Sequence, residues 1–218
     1  MPPGSITLSP LRGIKLVEPG DDLGAIAVAA FAANGIVPEA GDVLVVAQKI
    51  VSKAEGRYVV VTTVEPSERA IALAAEVDKD PRFVEVVLSE SKRVVRHRPG
   101  LLIVEHRLGF VMANAGIDHS NLPMQAGDDR VLLLPEDPDG SAFALRKKLI
   151  GNFGTDIAVI ICDSFGRAWR KGTVGIALGA AGLPALIDMR GQPDLFGREL
   201  LVTETGFADE IEIGRAHV

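Results

Sequence analysis

Cysteine is almost absent from this chain of 218 residues, and its scarcity narrows the possible structures. The single cysteine, Cys162, excludes a framework of disulfide bonds within the chain and is typical of a protein kept in a reducing compartment. It ends the apolar run Ile157 to Cys162, so a buried structural thiol is expected rather than a nucleophile. We therefore predict a cytoplasmic protein.

Aromatic residues are also scarce, and the 23 basic residues are outnumbered by 29 acidic ones. Aromatic residues make up 5% of the chain and hydrophobic residues of all kinds 47%, so the core must consist mainly of Val, Ile, Leu and Ala. The formal net charge is −6, which argues against nucleic-acid binding, because that binding gains affinity by neutralising phosphates. A local basic cluster for a small anionic ligand is still compatible with this charge. We expect neither a signal peptide nor a membrane span, since no apolar run approaches about 18 residues.

Capping residues, breakers and apolar periodicity predict the local structure. Helices are predicted at Leu23–Ala33, from Pro66-Ser67-Glu68 to Val77, at Pro81–Ser89 and, capped by Ser141, to Asn152. Strands are predicted at Ile6–Leu8, Val43–Val51, Tyr58–Thr63, Val94–His97, Leu101–His106, Phe110–Ala113 and Ile157–Cys162. A long surface loop is expected from Leu122 to Gly140, around the apolar piece Val131–Leu134.

The order of these elements favours an α+β fold with mixed, largely antiparallel sheets and flanking helices. Strands come in runs, without the strict alternation of strand and helix that a doubly wound sheet needs. The sequence contains no GxxxxGK[ST] and no GxGxxG after a strand. A nucleotide bound here is therefore held by neither a P-loop nor a Rossmann turn.

The strongest chemical signal is the segment Asp163 to Arg170, Asp-Ser-Phe-Gly-Arg-Ala-Trp-Arg, which follows an apolar run. It predicts a buried strand that ends on the carboxylate of Asp163 and the hydroxyl of Ser164, then a turn with Arg167 and Arg170. Oxygen ligands suit hard divalent cations, and guanidinium groups pair bidentately with phosphate. The segment therefore indicates an enzyme that binds a metal–polyphosphate. A structural pair between the buried acid and an arginine is the alternative.

A second acidic segment runs from Asn114 to Asn121 and contains Asp118. No cation partner for Asp118 is evident nearby in the sequence. Both Asp118 and Asn121 are open to a simpler interpretation as turn residues that bond the local backbone. His119 is a weak ligand candidate, because a histidine in a polar loop is usually only solvated.

Basic residues follow the predicted strand Val43–Val51. In Ser52 to Arg57, Lys53 is a point charge suited to phosphate and Gly56 allows close backbone approach. A solvated turn is the alternative for this segment. Gly13 to Val17 offers only backbone N–H groups.

Six segments in a fixed order resemble the coenzyme F420:L-glutamate ligase family, also called F420-0 gamma-glutamyl ligase. The resemblance spans about Leu11 to Glu210, and a longer bifunctional form of the enzyme carries the same fold in its N-terminal half. The segments are Pro19–Leu23, Gly41–Val46, Ser52–Arg57, Asn114–Asp118, Asp137–Ala142 and Asp163–Arg170.

This resemblance implies an activity. GTP would drive the joining of L-glutamate to a phospholactyl deazaflavin through an acyl phosphate, and further glutamates would follow through γ-linked amides. The resemblance also implies two divalent ions, Mg²⁺ or Mn²⁺, with K⁺ as a helper, and a homodimer.

The resemblance further implies roles for individual residues. Asp118 and Asp163 would hold one divalent ion and Ser164, where the family commonly has Thr, a second. Arg167 and Arg170 would offset charge on the transferring phosphoryl group. GTP would contact Ile14, Lys15, Leu16, Val17, Gln48, Lys53 and Asn121. Of these, Gln48 replaces a hydroxyl residue often found in the family.

We expect a single ligase domain over residues 1–218, with two lobes as one arrangement, that lacks the family's C-terminal segment. Family members continue past Ala208–Ile211 with a loop that contributes to the nucleotide and second-metal site, so weaker GTP binding is expected here. Two alternatives stay open. One is a metal-dependent nucleotide phosphohydrolase or phosphotransferase, which needs no amine acceptor; the other is an inactive truncated chain.

Overall fold

The computed structural model describes residues 6–119, 129–166 and 171–212, and the chain divides into two compact units. Unit 1 comprises Met1–Ala47, Asp137–Asp163 and Gly175–Val218; unit 2 comprises Gln48–Glu136 and Ser164–Val174. Each unit is thus assembled from segments distant in sequence. The expectation of one ligase domain stays a prediction.

The described residues form six α-helices and ten β-strands. The helices are α1 (Leu23–Ala33), α2 (Gln48–Ala54), α3 (Glu68–Val77), α4 (Pro81–Ser89), α5 (Pro138–Phe153) and α6 (Phe207–Ile211). The strands are β1 (Val43–Ala47), β2 (Tyr58–Val60), β3 (Ser91–Arg98), β4 (Leu101–His106), β5 (Val111–Ala113), β6 (Arg130–Leu132), β7 (Ala158–Gly166), β8 (Thr173–Ala181), β9 (Ile187–Asp188) and β10 (Glu204–Thr205).

The sheets are small and mixed in direction. A three-stranded sheet has the order β1-β7-β8, and β1 runs parallel to β7 with Ala47 opposite Cys162. The pairs β2-β6 and β9-β10 are antiparallel, as is the sheet β3-β4-β5. The predicted α+β class, with largely antiparallel sheets, is confirmed.

Three helices begin and end where the sequence predicts, because their caps are local. The side chains of Asp22, Ser67 and Asp80 accept hydrogen bonds from the backbone N–H groups of Ala25, Ala70 and Arg82 at the starts of α1, α3 and α4. Such a bond satisfies one of the N–H groups that a helix start leaves without a partner.

The predicted strand Val43–Val51 is half wrong, because the chain turns into α2 at Gln48. Gln48, Val51 and Ser52 are buried in α2, a spacing of three and four residues that belongs to a helix. The predicted strand Tyr58–Thr63 likewise ends at Val60 and gives way to a 3-10 turn. At Ile6–Leu8 no strand forms, and both of its large side chains are exposed.

The prediction of a long surface loop from Leu122 to Gly140 is wrong for the described part of that segment, residues 129–140. Val131 and Leu132 are fully buried, and β6 pairs with β2. Helix α5 begins at Pro138, because Asp137 rather than Ser141 caps it and accepts from the Gly140 N–H at 3.0 Å. Strand β7 continues to Gly166, beyond the end expected at Asp163 and Ser164.

Each unit has its own aliphatic core. In unit 2, Leu102 and Val104 of β4 are fully buried and pack in one cluster with Val84 and Val87 of α4. In unit 1, Ile160 and the fully buried Cys162 pack with Ala208, which confirms the expected burial of the thiol. Among the described residues, no helix is both long and apolar enough to cross a membrane.

Candidate functional site

Helix α2 directs two lysines toward one carboxylate. Lys49 and Lys53 are four residues apart and therefore lie on the same face of α2. The Nζ atom of Lys49 lies 2.5 Å from Oδ2 of Asp118, and these two side chains are only 19% and 25% exposed. We call Lys49, Lys53 and Asp118 the lysine–aspartate cluster.

Lys53 is electrostatically linked to the other two members of the cluster. Its burial lowers its pKa, and the charge of Lys49 lowers it further, while the charge of Asp118 raises it. Two ammonium groups therefore share the field of one carboxylate, so that among these three side chains positive charge exceeds negative charge in a partly buried place. Such a place favours an anion, because charges interact more strongly where water is partly excluded.

The backbone of Asp118 is fixed by strand β6. Its N–H donates to the carbonyl of Leu132 at 3.0 Å, and its carbonyl accepts from the Leu132 N–H at 2.9 Å. Because β6 in turn pairs with β2, which follows α2 in the chain, the carboxylate and the lysines belong to connected parts of unit 2.

A left-handed turn leads from β5 to Asp118. Asn114, Ala115 and Gly116 all have positive φ, at 49°, 54° and 68°. For residues other than glycine this conformation costs roughly 1–2 kcal/mol each. At Gly116 a side chain would also meet the Met112 Cε atom at 2.6 Å. The turn is required because β5 is fixed on one side and Asp118 on the other.

Gln48 begins α2 and is buried, with 1% of its surface exposed. Its Oε1 accepts a hydrogen bond from the Ser52 hydroxyl at 2.9 Å, so this part of the side chain stabilises the helix. The predicted contact of Gln48 with GTP stays a prediction.

The segment Ile14 to Val17 lies in unit 1 and has no regular secondary structure. Ile14 and Leu16 are exposed, and Val17 is buried. The ammonium of Lys15 donates to Asp21 at 2.6 Å and lowers the pKa of that carboxyl. The segment is thus held against the turn that precedes α1.

Asp163 is 9% exposed and directly follows Cys162, so it lies just beyond the last pair of the β1–β7 ladder. Ser164 is half-buried in the same strand. Neighbouring residues of a strand point to opposite faces. The assignment of Asp163 and Ser164 to two different ions, which the resemblance implies, stays a prediction.

The roles predicted for the remaining site residues stay predictions. Asn121, Arg167 and Arg170 lie outside the described residues. Asp118 belongs to unit 2 and Asp163 to unit 1, so their sharing of one metal ion stays a prediction. Within the described ranges, no group of three or more His, Cys, Asp or Glu side chains forms a metal site.

A second charged group in unit 2 surrounds Glu90. Its Oε2 lies 2.9 Å from Arg57 Nη2, 3.1 Å from Arg107 Nε and 3.4 Å from His106 Nε2. His106 Nδ1 accepts from the Leu108 N–H at 3.0 Å, so the proton of the neutral ring lies on Nε2 and faces the carboxylate. We call Glu90, Arg57, His106 and Arg107 the Glu90 network.

The Glu90 network is structural. Burial alone raises the pKa of Glu90, but the nearby Nε2 of His106, which lies 3.4 Å away without a well-formed hydrogen bond, and the charges of Arg57 and Arg107 together lower it to about 2. Arg57 Nε also donates to the Leu134 carbonyl at 3.0 Å, and Arg107 Nη1 to the Glu136 carbonyl at 2.8 Å. Arg57 therefore links Glu90 to the backbone at Leu134, although it ends the segment that the sequence analysis proposed for phosphate binding.

Lys49 is the site residue that the sequence analysis missed. In the sequence analysis, Lys49 lies in the predicted strand Val43–Val51 and Lys53 in the segment after it, an arrangement that does not put the two side chains on one face. Recognition of α2 as a helix would have placed Lys49 and Lys53 on one face, but the pairing of Lys49 with Asp118 is visible only in the structure.

Partly buried lysines beside a carboxylate, on an α+β scaffold, are typical of enzymes that handle anionic ligands. The sequence comparison identifies the family. The model of the family described as F420-0:Gamma-glutamyl ligase matches residues 13–215, and the chain belongs to this family.

Curated relatives agree with this assignment. The chain is 45% identical over 205 residues to a coenzyme F420:L-glutamate ligase of Methanopyrus kandleri. This alignment covers 94% of this chain and 78% of the relative. Proteins with the same name from Methanothermobacter thermautotrophicus and Archaeoglobus fulgidus are 41% and 43% identical over 206 residues. These two alignments cover 94% of this chain and 80% and 79% of the relatives.

Proposed function

We propose that this protein is a GTP-dependent γ-glutamyl ligase that adds L-glutamate to the phospholactyl deazaflavin precursor of coenzyme F420. The observation that carries the proposal is the lysine–aspartate cluster in a chain of this family. The relatives are named coenzyme F420:L-glutamate ligase, which supports the deazaflavin acceptor and the amino-acid substrate.

The proposed reaction has two steps. In the first, a terminal carboxylate oxygen of the acceptor attacks the γ-phosphorus of GTP; an O–P bond forms, the bond to the β-phosphate breaks, and GDP leaves. In the second, the uncharged α-amino group of glutamate attacks the acyl carbon. A C–N bond forms, the bond to phosphate breaks, and the amine proton is lost to solvent. Repetition on the new γ-carboxylate adds further glutamates.

The proposed cofactors are two divalent ions, Mg²⁺ or Mn²⁺, with K⁺ as a helper. The carboxylates of Asp118 and Asp163 and the hydroxyl of Ser164 supply hard oxygen donors, which fit such ions in chemical type. When bound, the ions would offset negative charge on the phosphates.

The protein's own residues have three proposed tasks. Lys53 binds phosphate from the partly buried face of α2, and Asn121, Gln48 and the segment 14–17 hold the nucleotide. Arg167 and Arg170 stabilise the charge of the phosphoryl group in transfer. We further propose that the protein acts as a homodimer in the cytoplasm, as the family resemblance and the single buried cysteine favour.

Mass spectrometry tests the proposal directly. The protein is incubated with GTP, Mn²⁺, L-glutamate and the deazaflavin acceptor, and the acceptor is expected to gain the mass of one or more glutamyl residues. Omission of glutamate should stop both the mass gain and most GTP consumption. GTP hydrolysis at an equal rate without glutamate or acceptor would instead identify a phosphohydrolase, and the ligase proposal would be wrong.

A further inference from the structure

The outer face of the sheet β3-β4-β5 carries a row of arginines beside an apolar strip. Along β4, Leu102, Val104 and His106 are buried, so the alternate residues point to the other face. Cross-strand pairing extends this outer face to both neighbouring strands. Its members are Arg93, Glu105 and Val111 in one row, Arg96, Ile103 and Ala113 in the next, and Arg98 with Leu101 in the last.

The three arginines of this row differ in their partners. Arg93 Nε donates to Glu105 Oε2 at 2.6 Å, directly across the strand pair. Arg96 and Arg98 lie opposite Ile103 and Leu101, and in the described part of the chain neither forms an ion pair. Among the described residues, Arg96 and Arg98 thus present two exposed guanidinium groups on the same face of β3, and neither is paired with a carboxylate.

Strand β3 lies at the edge of its sheet, but it is poorly suited to pair with another strand. The register shifts between Ser91 and Arg93 and again between Val94 and Arg96, and such bulges interrupt an edge. Side chains rather than backbone groups are therefore the binding elements of this face. Beside the arginines, Ile103 is half-buried and Val111 is 53% exposed.

A chain with regularly spaced carboxylates fits this row. Alternate residues of a strand lie about 7 Å apart, and each guanidinium group can hold one carboxylate through two hydrogen bonds. We propose that the outer face of β3-β4-β5 binds the oligo-γ-glutamate tail of the product, with Arg96 and Arg98 holding successive α-carboxylates. The apolar strip contacts the methylene groups of the tail. This inference rests on the proposed glutamyl ligation.

The face is connected to the lysine–aspartate cluster through the chain. Ala113 ends β5 five residues before Asp118, so the two Cα atoms are at most about 18 Å apart. Arg96 is two strand spacings from Ala113, or about 10 Å further. A tail of several glutamates therefore spans the distance between the row of arginines and Asp118.

Binding of a fluorescein-labelled penta-γ-L-glutamate peptide to the whole protein, followed by fluorescence anisotropy at low salt, tests the proposal. The double variant Arg96→Gln, Arg98→Gln is expected to weaken binding about tenfold, since two exposed charge pairs are lost. The variant Glu105→Gln should tighten binding about threefold, because it releases Arg93 for the peptide.

The matched control is Arg82→Gln with Arg190→Gln. Each of these arginines is held by an aspartate two residues before it, so the control removes the same charge without removing an unpaired guanidinium group. Its peptide affinity should stay within about twofold of wild type. Circular dichroism and the thermal midpoint confirm that all variants are folded.

Peptide affinity that is unchanged in the Arg96, Arg98 variant, or lowered equally in the control, would overturn the inference. So would a loss of dimerisation in that variant with unchanged peptide affinity, because a second copy of the chain would then cover the face. The ligase assay on the wild-type protein is separate from these measurements. Absence of glutamyl addition there contradicts the proposed function, whereas glutamyl addition together with unchanged peptide affinity contradicts this inference alone.

Discussion

The Glu90 network and the lysine–aspartate cluster lie in the same unit and have the same balance of formal charge. Each places two Lys or Arg side chains around one carboxylate, and the Glu90 network adds the imidazole of His106. They differ in chemistry and exposure. The Glu90 side chain is 11% exposed, and its arginines also donate to backbone carbonyls, whereas Asp118 is 25% exposed and its cations are lysines.

The difference is one of side-chain chemistry, and it separates a group that stabilises the fold from one that we propose binds a ligand. A planar guanidinium group with several fixed donors is held in one arrangement, whereas an ammonium group is a compact charge on a flexible stem. The Glu90 network therefore fixes the chain. In the lysine–aspartate cluster, we expect the ammonium groups to exchange ionic partners more readily.

The largest effect is expected from Asp118→Asn. The amide keeps the shape but removes the anionic oxygen, so glutamyl ligation should fall by more than about a hundredfold, equivalent to roughly 3 kcal/mol. The thermal midpoint should change little, because the backbone bonds to Leu132 stay in place. A variant with wild-type activity and wild-type Mn²⁺ affinity would show that Asp118 is a turn residue.

Glu90→Gln should show the opposite pattern to Asp118→Asn, because its main effect is expected on stability. Loss of the carboxylate leaves Arg57 and Arg107 partly buried without their anion, and we expect a loss of about 3 kcal/mol in the free energy of unfolding. Urea denaturation measures this loss in the free energy of unfolding. The control is Glu76→Gln, whose side chain is 60% exposed and which should change stability by less than about 0.5 kcal/mol. Equal losses in both variants would contradict a structural role for the network.

The same comparison predicts a pH dependence of stability. The pKa of Glu90 is lowered from its ordinary value of 4.5 to about 2 in the folded protein. The stabilisation is therefore present above pH 4.5 and is lost as the pH falls toward 2, by about 3 kcal/mol. Denaturation at pH 6, 4 and 3 should show this slope in the wild-type protein and a shallower slope in Glu90→Gln. Parallel slopes would mean that other carboxylates dominate.

The smallest expected effect comes from Lys49→Met. The ammonium group of Lys49 is paired with the Asp118 carboxylate and therefore competes with a metal ion for it. Its removal should tighten the binding of free Mn²⁺ about tenfold, as measured by titration calorimetry without nucleotide. Lys49→Arg keeps the charge and should leave the affinity nearly unchanged. If both variants bind Mn²⁺ as the wild type does, Lys49 is not a competitor of the metal.

Much of the fold could be predicted because its signals are local. The bounds of α1, α3 and α4 follow from capping side chains within the first turn of each helix. The strand Leu101–His106 follows from an apolar run between the turns that hold Pro99-Gly100 and Leu108-Gly109. Helix α2 could not be predicted in this way, because a short β-branched segment suits either structure until its buried face is known.

The sequence by itself determined the family, the α+β class, the helix ends and the chemical types of the candidate ligands, Asp118, Asp163 and Ser164. These properties depend on neighbouring residues or on the order of motifs along the chain. Only the tertiary structure decided that Lys49 pairs with Asp118, that Arg57 joins Glu90 and that β6 is buried. The partners in these contacts are far apart in sequence. Their meeting is decided by burial and strand pairing across a whole unit, which no local pattern encodes.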